Sequence, residues 1–327
     1  VKAIIVKQPG GAEQLAVAEV PDPPVGENQI RVQVKAAGVN RADIFQRRGM
    51  YPPPAGESET LGLEVAGEVE RVGSKCRRWK VGDRVFAVIS GGGYAQKAVF
   101  HESLAMPVPG VFDFSEAAAV GEVFLTAYQG LFWLGNLEKE ETVLIHAGAS
   151  GVGTAAVQLA RQSGCRVFVT AGTPEKVAAC RTLGADMGIC YREENFTDRV
   201  LAETDGRGVD VILDFIGAAY LEGNLNSIAV DGRLVILALL GGSRADGVDI
   251  GVLLRKRAKI VGSTLRSRSL DYRARLAEEF VQRWLAKFST GDIRPVVDRV
   301  IPWHDVAEAH RVMEENRNIG KIVMAVE

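Results

Sequence analysis

The sequence is short of cysteine, of histidine and of net charge, and each shortage closes off a class of function. Its four cysteines, Cys76, Cys165, Cys180 and Cys190, form no C-x-x-C pair and no metal-ligand cluster. They predict neither a disulfide framework nor a structural metal lobe, and a reduced, cytoplasmic setting is the expectation. Lys and Arg number 39 against 41 Asp and Glu, so the net charge of −2 gives no broad pull toward nucleic acid or an anionic membrane. The run Arg255-Lys256-Arg257 is read as a solvated helix end. No apolar stretch approaches the roughly 18 uncharged residues of a membrane span. The opening VKAIIVKQPGG lacks the apolar core and small-residue cleavage site of a signal peptide. Repeats and low-complexity tracts are missing as well. Neither nucleic acid nor membrane is expected as a partner.

What is present is an ordinary globular composition. The 327 residues, 47% hydrophobic and 24% charged, suffice for two domains with their own cores. From Val1 to about Val120, short alternating segments are broken by glycine and proline. Ile30-Arg31-Val32-Gln33-Val34-Lys35-Ala36 alternates apolar with polar, as a half-buried strand does. Val65–Val72 and Arg84–Ile89 read similarly. Pro21-Asp22-Pro23-Pro24, Val81-Gly82-Asp83 and Gly91-Gly92-Gly93 mark turns. A β-rich domain is predicted.

From about Glu122 strands alternate with helices. Thr142–His146, Arg166–Thr170, Asp186–Cys190, Val209–Asp214, Arg233–Leu239 and Lys259–Ser263 read as strands. Helical spacing runs over Gly153–Ser163 and Glu175–Leu183. Parallel strands need crossover helices, so the alternation predicts an α/β fold with a doubly wound, parallel, six-stranded sheet. The rest departs from that rhythm: a long amphipathic helix over Leu270–Phe288, another over His304–Glu315, and a strand at Lys321–Ala325. This tail is predicted to fold back onto the first domain.

The segment Leu144-Ile145-His146-Ala147-Gly148-Ala149-Ser150-Gly151-Val152-Gly153-Thr154 is a strand entering a glycine-rich turn from which a helix leaves. A pyrophosphate needs free backbone N–H groups and a positive helix end, and glycines let the chain come close. Gly148, Ala149, Ser150, Gly151, Val152 and Gly153 are therefore the candidate dinucleotide cradle, against the alternative of a purely structural turn. The middle position of the expected G-x-G-x-x-G is Ser150. An NAD-specific site places an acid about 20 residues on. Here that stretch is Thr170-Ala171-Gly172-Thr173, followed by Lys176. Gly172, Thr173 and Lys176, with the Tyr191 hydroxyl, suit a 2′-phosphate and predict NADPH; the alternative for Lys176 is a solvated helix residue. Loops after the later strands should complete the cofactor site, which adds Gly217, Leu239 and Leu240. Leu265 and Arg266 join them where the chain returns to the first domain.

Taken together, Gly38-Val39-Asn40-Arg41-Ala42-Asp43, Gly49-Met50-Tyr51-Pro52, Leu61-Gly62-Leu63-Glu64-Val65-Ala66-Gly67, Val81-Gly82-Asp83-Arg84-Val85 and the Ala147–Gly153 turn resemble the medium-chain dehydrogenases/reductases. Within that superfamily the chain is most similar to the quinone oxidoreductases, and His146–Gly153 with Asn318-Ile319-Gly320-Lys321-Ile322-Val323 resembles the p53-inducible group. The resemblance implies a GroES-like catalytic domain over 1–122 and 265–327 and a Rossmann-type NADP-binding domain over 123–264. Zinc alcohol dehydrogenases of the superfamily carry cysteine at Asn40 and histidine at Leu63. Leucine cannot ligate zinc, so the resemblance implies a metal-free site.

It also implies that Asn40, Asp43 and Tyr51 line the active site, with Asn40 and Tyr51 touching cofactor as well, Thr126 near the nicotinamide amide, and Asn318 a further cofactor contact. Each has another reading. Asn40 and Asp43 are good helix N-caps, Tyr51 could pack a proline turn, and Thr126 could bond back to its own helix. A phenolic substrate contact of some relatives is Phe45 here. The expected function is NADPH-dependent reduction of a small-molecule quinone by a homodimer. The alternatives are reduction of an enone or enoyl thioester, and a non-catalytic NADPH-binding sensor.

Overall fold

The computed structural model describes all residues from Val1 to Glu327. The chain forms two units, one made of Val1–Leu125 with Leu265–Glu327 and the other of Thr126–Thr264. The second is an insertion in the first.

The first unit is built on a seven-stranded sheet. Strand Gln29–Val39 is its longest member and pairs antiparallel with Glu64–Val72, with Lys97–His101 and with Lys321–Ala325. The alternation predicted for this strand holds: Ile30, Val32 and Val34 are buried and the residues between them are less so. The tail returns as predicted. Lys321–Ala325 sets Ile322 opposite Val39, and Val297–Pro302 adds beside it in parallel. Helix Leu270–Ser289 buries Leu276, Ala277, Phe280, Trp284 and Phe288, the three-and-four spacing of one helical face. Phe288 meets Phe112 and Phe124 edge to face.

The second unit holds six parallel strands in the order Met187–Cys190, Arg166–Ala171, Thr142–Ile145, Val209–Asp214, Ile228–Ile236, Lys259–Gly262. Sequence order reverses beside Thr142–Ile145, the switch point at which such sheets bind ligands outside their strands' carboxyl ends. Most boundaries lie within a residue or two of the sequence reading, and two of the differences matter here. The strand expected at Arg233–Leu239 spans Ile228–Ile236, so Leu239 and Leu240 stand in the loop beyond it. There the main chain leaves its strand to donate from Leu240 and Gly241 to Phe215 and Ile216. The helix expected from His304 begins at Val306; Trp303–Asp305 is a short 3-10 turn that leaves His304 exposed. No helix is long and apolar enough to cross a membrane.

Candidate functional site

In the second unit, strand Thr142–Ile145 ends at buried His146, and Ala147 turns the chain with φ of 50°. Helix Gly151–Gln162 then begins with Ser150 as its N-cap. The Ser150 hydroxyl accepts the Gly153 N–H at 3.0 Å, which explains why serine stands where the glycine pattern breaks: it caps the helix that the turn feeds. The amides of Gly151 and Val152 have no main-chain acceptor and stand free at the helix N-terminus. Glycine is required at the close end of the turn. A Cβ on Gly153 would lie 2.4 Å from the Ala147 carbonyl oxygen and 2.5 Å from that of Gly148. These open amides, on a turn too close for a Cβ at Gly153, fit a pyrophosphate.

Beyond strand Arg166–Ala171, Thr173 caps helix Pro174–Thr182 by accepting the Lys176 N–H. A Cβ on Gly172 would meet the Tyr191 hydroxyl at 2.8 Å, so Gly172, Thr173, Lys176 and the partly exposed Tyr191 form one corner. At the end of strand Val209–Asp214, buried Asp214 accepts the N–H groups of Ile216 (2.7 Å) and Gly217 (3.1 Å), and burial pushes its carboxyl up to about 6. Gly217 has φ of 80° and approaches Leu239 so closely that a Cβ would stand 2.7 Å from its side chain. Leu239 and Leu240 are half exposed. Thr126 lies half-buried on helix Gly121–Tyr128.

His146 is fully buried, with Nδ1 3.0 Å from the Thr170 hydroxyl and Nε2 2.7 Å from the Asn224 amide oxygen. It is a structural residue, as its strand-end position suggests. Burial lowers its pKa to about 4, whereas an unfolded imidazole titrates near 6.5. Between those values the unfolded state holds more protons. The stability His146 contributes is therefore whole above about pH 6.5 and declines toward pH 4 by at most about 1.4 kcal/mol per pH unit. Urea unfolding between these limits should show a shallower pH slope for His146→Gln than for the native chain; equal slopes would contradict the assignment.

In the first unit a second constellation surrounds Asn40, Asp43, Glu64 and Lys321. Asn40 is the N-cap of helix Arg41–Arg47, and Asp43 accepts its main-chain N–H at 2.9 Å. The capping reading is thus present in the geometry. Fully buried Asp43 also accepts from the Gly62 N–H (3.1 Å) and the Tyr94 hydroxyl (3.0 Å), and burial raises its carboxyl to about 6. His310 stands behind Tyr94, 3.4 Å from its hydroxyl and 3.1 Å from an Arg47 nitrogen. Burial, aided by the Arg47 charge, lowers this imidazole to about 3. The Asn40 carboxamide donates to Glu64 (2.9 Å) and accepts from the Lys321 ammonium (2.8 Å). Lys321 also donates to the Val39 carbonyl and to Glu64.

Tyr51 is half-buried, and burial raises its phenol above the ordinary value. The Arg266 guanidinium lies 5.3 Å from the Tyr51 ring centre and donates to the Ser90 carbonyl and the Gln46 amide oxygen. Leu265 is buried beside it in sequence. Asn318 donates to the Gly320 carbonyl at 2.7 Å. Sequence reasoning gave no role to Lys321, Tyr94 and Asp214. No spacing could have joined Lys321 or Tyr94 to their partners, which lie far away in the chain.

Residues 26–110 match the alcohol dehydrogenase GroES-like domain family, and residues 151–282 match the zinc-binding dehydrogenase family. A quinone oxidoreductase of Pseudomonas aeruginosa is 34% identical over 316 residues, covering 96% of each chain. Among solved structures, Escherichia coli quinone oxidoreductase complexed with NADPH superposes with a TM-score of 0.89 at 30% identity, covering 99% of this chain and 100% of that one. CurK enoyl reductase superposes with a TM-score of 0.89 at 26% identity, covering 100% and 99%.

Proposed function

Because the chain belongs to the quinone oxidoreductase family of the medium-chain dehydrogenases/reductases, we propose that it is an NADPH-dependent, metal-independent quinone reductase, near the p53-inducible group. The observation that carries this reading is the pairing of an open glycine cradle with a Gly172, Thr173, Lys176 and Tyr191 corner that lacks an acid. Gly148–Gly153 would hold the pyrophosphate and Lys176 with Tyr191 the 2′-phosphate. Gly217, Leu239, Leu240 and Thr126 belong to the same proposed cofactor set, as do Asn40, Tyr51, Leu265, Arg266 and Asn318.

NADPH supplies a hydride when bound. Tyr51 offers a phenol to the oxygen on which negative charge develops. Asp43, fully buried, orients Asn40 and Gly62 rather than reaching an acceptor. Metal independence rests on residue chemistry. Leu63 has no ligating atom, and the Lys321 ammonium lies against Asn40 and Glu64, where its charge opposes a second cation. A homodimer through the second unit is supported by its edge strand Lys259–Gly262 with exposed Ile260, and by exposed Ile250 and Leu254 in the same unit. A setting inside the cytoplasm is in keeping with four free, buried cysteines.

The similarity to an enoyl reductase gives a second reading, in which the acceptor is an activated alkene. Steady-state oxidation of NADPH and NADH with a panel of quinones, enones and enoyl thioesters separates them. Quinone turnover with NADPH preferred is the expected result. Lys176→Ala should raise the KM for NADPH by about ten- to a hundredfold, the worth of a charge-assisted phosphate contact, and leave that for NADH unchanged. Saturable NADPH binding without oxidation by any acceptor would leave only the sensor reading.

A further inference from the structure

One carboxyl group in the first unit is left out of every hydrogen bond around it. Glu122 stands in the first turn of helix Gly121–Tyr128, and its main-chain N–H donates to Glu64 Oε2 at 2.8 Å. Its own side-chain oxygens accept no hydrogen bond and join no ion pair, and part of the residue is open to solvent. Glu64 is placed oppositely. It is 1% exposed, and its two oxygens take three donors: the Lys321 ammonium, Asn40 Nδ2 and the Glu122 N–H. One buried ammonium therefore stands near two carboxyl groups and is committed to one of them. Two carboxylates sharing such a place do not both ionise freely. The donors are divided unevenly: all three face Glu64, and none faces the Glu122 carboxyl.

The remaining neighbours act on Glu122 in both directions. Burial, then the charge of Glu64 on strand Glu64–Val72, push its carboxyl up to about 8. Asp43 on helix Arg41–Arg47 adds to this, while Lys321 on strand Lys321–Ala325 and Arg273 on helix Leu270–Ser289 oppose it. Tyr51 and Arg266 feel the Glu122 charge in turn. Glu122 is thus in electrostatic reach of the Tyr51 phenol proposed to face the acceptor and of the Arg266 guanidinium in the proposed cofactor set.

We propose that Glu122 is the proton donor of the reduction, its carboxyl left without a donor because Glu64 takes all three. The inference rests on the reductase reading above. Hydride from NADPH carries two electrons to the quinone and leaves the anion of the hydroquinone. The O–H bond of Glu122 breaks as a new O–H bond forms on the anionic oxygen. The Glu122 carboxylate then recovers a proton from the solvent it partly faces.

Two measurements test this. The first needs no cofactor. The infrared spectrum of the resting protein should contain a protonated-carboxyl band at pH 7 that titrates away as pH rises through about 8, and that Glu122→Gln removes. A native protein without that band overturns the proposal, whether or not the variant folds. The second is the pH profile of kcat with a quinone. The native enzyme should lose activity as pH rises through about 8. Glu122→Gln should run about a hundredfold slower with that alkaline limb gone and NADPH affinity kept, and Glu122→Asp should recover part of the rate. Native kcat and an unchanged limb in Glu122→Gln overturn the proposal while leaving the reductase reading intact. A native enzyme that turns over no acceptor instead sinks the reductase reading, and this inference with it.

Discussion

Lys321→Met is expected to cost the first unit about 3–5 kcal/mol of unfolding free energy, the range for removing one partner of a buried ion pair. Lys321 and Glu64 are 3% and 1% exposed, so water cannot replace the lost ammonium. Methionine fills a similar volume, which confines the loss to electrostatics and hydrogen bonds. The Val39 carbonyl and the Asn40 amide oxygen also lose their donor. Adding Glu64→Gln removes the stranded charge and should restore much of the stability. Urea unfolding followed by tryptophan fluorescence measures both, in a Trp133→Phe background so that Trp79, Trp284 and Trp303 report on the first unit alone. A loss below about 1 kcal/mol, the value of an exposed pair, would show that Glu64 is not held as described.

The other large effect is expected at Gly153. A valine there places its Cβ 2.4 Å and 2.5 Å from the Ala147 and Gly148 carbonyl oxygens. Both obstacles are backbone, so only the turn itself can yield. NADPH affinity should fall at least about a hundredfold, roughly 2.7 kcal/mol, as the amides of the cradle lose their common direction. Titration of cofactor fluorescence measures it, with circular dichroism confirming that the parallel sheet persists. Retained affinity within about tenfold in a folded variant would remove the turn from the cofactor's site.

The legible parts of the fold were those with local causes. Ile30, Val32 and Val34 announce a strand through their period. The tail was readable because Lys321–Ala325 is an apolar run that interrupts the strand–helix rhythm. Boundaries set by tertiary contact were not readable, which is why the strand ending at Ile236 seemed to extend to Leu239. The same division runs through the site. The glycine turn and the missing acid after Ala171 are local and visible. Lys321, however, meets Asn40 across 281 residues and Glu64 across 257, and no spacing rule connects such positions. His310 and Tyr94 come together across 216 residues. The role proposed for Glu122 was invisible for another reason: it depends on what its neighbours already hold, and a single residue in a sequence does not show that.

The insertion of Thr126–Thr264 between the two parts of the first unit sets an order of events during synthesis. Strand Gln29–Val39 and Glu64 leave the ribosome early, yet the strand that covers one and the ammonium that neutralises the other follow the whole second unit. Until Lys321 emerges, the early half must keep Glu64 hydrated and the edge at Val39 uncovered, a state open to mispairing. The second unit contains all six of its strands without interruption and can fold meanwhile. The first unit's final stability is thus completed late, when one lysine arrives.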